Sequence, residues 1–69
     1  MITEIGIVAG DILHYLEQKG EVPLEGLVEK IGKSKDLVLM GIGWLGREGH
    51  VILKQENSEY LCTLRKKEE

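Results

Sequence analysis

The side chains of this sequence best equipped for bond-making chemistry are His14, His50 and its one cysteine, Cys62, and their placing argues against a shared site. Zinc ligands come in short, characteristic spacings, whereas these three are scattered over a helical pattern, a strand start and a second strand. No glycine-rich phosphate loop follows a strand and no nucleophile elbow is present, and the glutamates are spaced as on solvated helix faces rather than as a paired acid and base. A chain of 69 residues also lacks a second layer with which to close a water-excluding pocket. The expectation is a non-enzymatic chain with no metal, no cofactor and no small-molecule substrate.

Recognition chemistry is better represented, in two groups. Lys33, Ser34 and Lys35 fall at the start of a helical segment, where backbone amides favour anions, and Lys54 and Asn57 fall on a later hairpin; together they are suited to phosphates. Arg47, on the outward side of that helix, is the one typical reader of base edges, with Leu39 and Met40 able to touch thymine methyls and Asp36 opposing phosphate. Each lysine taken singly reads as an ordinary solvated charge. The second group is apolar. Met40 and Trp44 lie one helical turn apart with Leu37 and Arg47 beside them, on a flank the core stripe does not need, and Trp, Met and Arg are typical interface anchors. Burying that flank between two copies would steady a small domain, so a homodimer is expected; the competing reading folds Trp44 down as core.

These residues must be held by a succession of short elements. Ile5, Val8, Ile12 and Leu16, joined by Ala9 and Leu13, recur at helical spacing from Thr3 to Lys19, with Gly20 as a stop. Ile7 and Tyr15 widen that face, which suggests contact with a second surface beside the core; the competing and preferred reading is that both rim the core. Glu21 to Leu24 contains Pro23, which cannot donate to a ladder, and predicts an edge strand or extended connector. Leu24, Leu27, Val28 and Ile31 predict a second helix ending at Gly32; Ser34 is a good N-cap for a third, which runs through Leu37, Val38, Ile42 and Leu45 to Gly49. Residues 50–54 and 59–64 are β-prone runs about a polar link at 55–58, the grammar of a hairpin.

Helix, short strand, helix, turn, helix, hairpin is the winged-helix order. The segment from Gly43 to Val51, with Leu45, Glu48, Gly49 and Val51 in the pattern leucine, x, x, glutamate, glycine, x, aliphatic, resembles the end of the third helix in many winged-helix regulators. The Gly43-Trp44-Leu45 variant in so short a chain resembles a small winged helix-turn-helix family of uncharacterised function from bacteria and archaea. The resemblance covers residues 5–64 and implies an α+β fold: a three-helix core with a C-terminal β-hairpin wing and a short first strand. It implies a DNA-binding protein of transcription-regulator type, with the third helix and wing on double-stranded DNA. The alternative is a homodimeric protein-interaction module that keeps the fold and does not bind DNA.

Composition is compatible with either. The hydrophobic content is 42% and the charged content 30%, and no apolar run reaches the roughly 20 residues that span a bilayer. One cysteine allows no internal disulfide, and the acidic start of the chain does not resemble a signal peptide, so a cytoplasmic protein is expected. The net charge of -3 is unevenly spread: residues 1–32 carry a net -4 and residues 33–69 a net +1. Six in-helix glycines, Gly6, Gly10, Gly26, Gly41, Gly43 and Gly46, each cost about 1 kcal/mol relative to alanine. Close backbone approach, either between the first and third helices or between two subunits, would offset that cost, and the Gly6 to Gly10 spacing would permit it; flexible helices are the third reading. The expected domain is 1–64, followed by a flexible charged tail at 65–69.

Overall fold

The computed structural model describes residues 2–65. Its elements are α1 (Ile2–Lys19), β1 (Val22–Pro23), α2 (Leu24–Ile31), α3 (Lys35–Arg47), β2 (Val51–Glu56) and β3 (Glu59–Leu64). The sheet is antiparallel with β3 in the middle, in the order β1, β3, β2. Pro23 therefore stands in an edge strand, where its missing N–H costs nothing. Of the charged tail expected at 65–69, only Arg65 falls within the described residues; its N–H donates to the His50 carbonyl at 2.9 Å, continuing the hairpin ladder by one pair.

The core is built from the residues the helical and alternating patterns single out. Val8, Ala9, Ile12 and Leu16 of α1 meet Leu27 of α2, Val38, Ile42 and Leu45 of α3, and Val22, Val51 and Cys62 of the sheet. Ile12, Leu16, Leu27, Val38 and Cys62 are fully buried. Tyr15 packs against this cluster, but Ile7 does not rim it: its side chain is 57% exposed, turned to the opposite side of α1 from the buried stripe.

Close helix approach occurs at Gly41 rather than at Gly6 and Gly10. A Cβ on Gly41 would stand 3.2 Å from Ile12 Cδ1 and 3.3 Å from Val8 Cγ1, so its absence lets α3 lie directly on α1. Gly6 and Gly10 face open space, with nothing within 4 Å of where a Cβ would sit. The reason lies in rotation about α1, which presents Val8, Ala9 and Ile12 to α3 and leaves both glycines on its outer side.

Both ends of α3 are chemically fixed. At the start, Ser34 Oγ accepts from the Leu37 N–H at 3.2 Å. At the end, Gly49 adopts a left-handed φ of 81°, which lets the His50 N–H reach the Leu45 carbonyl at 2.9 Å and the Gly49 N–H reach Gly46 at 3.1 Å. This cap explains the Leu45, Glu48, Gly49, Val51 pattern: buried leucine, helix end, the residue that tolerates positive φ, then the buried start of β2. The hairpin link is shorter than the four polar residues suggest. β2 continues to Glu56, and Asn57 and Ser58 alone make the turn, both at positive φ (52° and 67°), the geometry whose twist matches the strands.

Candidate functional site

α3 is buried on one side only. Val38, Gly41, Ile42 and Leu45 face the core, and the opposite side presents Asp36, Leu39, Met40, Gly43, Trp44 and Arg47, all exposed. The large apolar side chains there are well open to solvent: Leu39 is 40%, Met40 43% and Trp44 50% exposed. Trp44 is thus not core. Leu37, two turns before Trp44 on the same flank, is partly buried and packs against the core cluster.

On one side of this face, α3 and β2 enclose a groove of about 340 Å³, lined by Leu39, Ile42, Gly43, Gly46, Arg47, Val51 and Leu53. Apart from Arg47 its walls are apolar. Leu53 contributes because it shares the helix-facing side of the sheet with Val51 and Cys62, yet lies far enough along the wing to remain 45% exposed.

The basic residues are dispersed. Lys33, Ser34 and Lys35 are exposed at the start of α3, but Lys35 Nζ lies 3.4 Å from Glu25 Oε2 of α2. Lys54 alternates onto the sheet face turned away from α3, where its Nζ lies 3.4 Å from Glu21 Oε2. Asn57 is exposed at the wing tip. Pairs this exposed contribute little to stability, but each sets a carboxylate beside a lysine that a phosphate would need. From residue 33 to residue 59 four basic side chains (Lys33, Lys35, Arg47, Lys54) are balanced by four acidic ones (Asp36, Glu48, Glu56, Glu59). Sequence reasoning had no signal for the two lysine–glutamate pairs, because both glutamates belong to other elements.

The potential metal and nucleophile groups are not brought together. Among the described residues no cluster of three or more His, Cys, Asp or Glu could hold a metal ion. Cys62 is sealed in the core, and burial pushes its thiol up to about 11. His14 has Gln18 Nε2 at 3.4 Å from its Nε2, a contact within α1. No helix of the described residues is long and apolar enough to cross a membrane.

A three-helix core, a cap that turns α3 directly into a hairpin, and an α3 that projects one free face beside that hairpin define a winged helix-turn-helix protein. Residues 1–64 match the family described as "Winged helix-turn-helix domain (DUF2582)", and the chain belongs to that family. It is 33% identical over 67 residues to the uncharacterized protein MJ1608 of Methanocaldococcus jannaschii, an alignment covering 94% of this chain and 96% of the relative. Its fold is similar to the solution NMR structure of protein BT2368 from Bacteroides thetaiotaomicron, with a TM-score of 0.81 at 24% identity, over 90% of this chain and 76% of that one.

Proposed function

We propose that this chain is a protein-interaction module of the winged-helix type, self-associating through the outward face of α3, and not an enzyme. The observation that carries this reading is the character of that face. Leu39, Met40 and Trp44 are 40–50% exposed where a DNA-reading helix would carry polar side chains, and Arg47 is the one typical base reader among them. The neutral charge balance of residues 33–59 points the same way, since phosphate neutralisation supplies most non-specific affinity for nucleic acid.

Trp44 is the chain's one tryptophan, so its fluorescence reports directly on the proposed contact. On raising the protein concentration its emission shifts to shorter wavelength, and sedimentation mass rises in step from one chain to two. Trp44→Ala holds the mass at one chain. An unshifted emission with a monomer mass up to millimolar concentration removes this reading.

A second reading, binding of double-stranded DNA as a transcription regulator, is supported by the fold, which commonly binds DNA, and by the exposed Lys33 and Ser34 at the start of α3. It requires amide shifts at Lys33 to Arg47 and at Lys54 to Ser58 when mixed-sequence duplex is added at low salt, reversed by added salt. Shifts of that kind, with the mass unchanged, would put this reading first.

A further inference from the structure

Along the centre line of the free face, Asp36, Met40, Gly43 and Arg47 succeed one another at spacings of four, three and four residues. That is the interval at which side chains of one straight helix fall into a single seam against another. All four are exposed. Read forward, the seam is acidic, large, small, basic; read backward, it is basic, small, large, acidic. Laid against its own reversal, every position meets its complement.

The geometry points to a second copy of this chain as the occupant of the face, with the two α3 helices packed antiparallel about a two-fold axis. Asp36 then faces the partner's Arg47, and Met40 faces the partner's Gly43. The inference rests on the self-association reading above and specifies its arrangement. A two-fold contact is isologous, so each pairing occurs twice. A parallel pair would set aspartate against aspartate and arginine against arginine, and the charges therefore select the antiparallel one.

The rest of the face agrees with this arrangement. A Cβ at Gly43 or Gly46 would meet nothing within 4 Å in its own chain, so neither glycine is required by the fold of the single copy. Against a partner both acquire a use. Gly43 admits the partner's Met40 on the seam, and on the groove side Gly46 lies opposite the partner's Leu39. On the other flank Trp44 lies beside the partner's Met40. A contact centred on one 13-residue helix belongs with small interfaces, below about 1,200 Å² in total, so it forms and dissociates with concentration.

The test is a charge exchange on the intact chain, read by sedimentation and by Trp44 emission. Asp36→Arg alone and Arg47→Asp alone each place like charges at both facing positions and weaken the dimer about tenfold or more. An equimolar mixture of these two variants returns to the wild-type dissociation constant, because each facing pair is again of opposite sign. Asp36→Arg combined with Arg47→Asp in one chain does the same. Gly43→Leu abolishes the dimer while its circular dichroism melt stays that of a folded monomer. If Trp44→Ala dissociates the dimer but the charge variants leave its dissociation constant within about twofold, self-association stands and this arrangement is overturned. A wild-type chain that remains a monomer at millimolar concentration overturns both.

Discussion

α3 is apolar on two sides, and the sides differ in what covers them. The inner side, Val38, Gly41, Ile42 and Leu45, is closed by α1, α2 and the sheet. The outer side, Leu39, Met40, Gly43 and Trp44, has side chains of the same chemical type and is left in water. Each side carries a central glycine, but only Gly41 is pressed against another element. The contrast teaches that hydrophobicity on a helix does not by itself identify the core. An uncovered apolar side on an already folded domain is a candidate contact surface.

Truncation separates the two sides most sharply. Ile12→Ala or Leu27→Ala, each opening a cavity in the core, is expected to cost about 2–5 kcal/mol in urea unfolding, enough to threaten a domain this small. Met40→Ala measured at a dilution that keeps the chain monomeric should change that stability by no more than about 0.5 kcal/mol. A large loss from Met40→Ala in the monomer would mean that the outer side is core after all.

The glycines give the next largest effect, with opposite signs. Gly41→Val forces a branched side chain into Val8 and Ile12 and should cost about 1–3 kcal/mol. Gly43→Ala, with open space around its Cβ, should stabilise the dilute monomer by up to about 1 kcal/mol through helix propensity. Matching signs in thermal melts would remove the distinction drawn between the two positions.

On the inner side, alkaline pH acts through Cys62. Because burial raises the Cys62 thiol to about 11 from an ordinary 9.0, the folded state favours the neutral form. The corresponding stability is complete below pH 9.0 and is lost as pH rises toward about 11. Cys62→Ala should flatten that decline in unfolding experiments. At pH 8 a thiol reagent should label Cys62 only at the rate of unfolding. Smallest of all, Lys35→Ala should alter stability by no more than about 0.5 kcal/mol, since both members of its pair with Glu25 are largely in solvent. A loss above 1 kcal/mol would show that the α2–α3 turn depends on that pair.

Much of the framework was legible from residue patterns because the forces that set it are local. Periodicity marked the three helices, Ser34 and Gly49 marked the ends of α3, and alternation marked the hairpin. The turn is two residues shorter at its first strand than the polar run implies, since Gln55 and Glu56 look like loop residues until the Asn57–Ser58 geometry fixes the register. The recognition residues were less legible. Their types could be read, but Trp44 fitted core and interface equally, and nothing near Lys35 or Lys54 in the chain announced Glu25 or Glu21.

The sequence by itself determined the element order, the fold class and the residue types along α3, because helix period, capping and turn chemistry act over a few residues. Only the tertiary structure decided which apolar side of α3 is covered, which glycine is pressed against a neighbour, and which lysines stand beside carboxylates. Those outcomes depend on how α1 is rotated beneath α3 and on where the sheet brings Glu21 near Lys54. Such contacts between distant positions are set by packing, which no local pattern encodes.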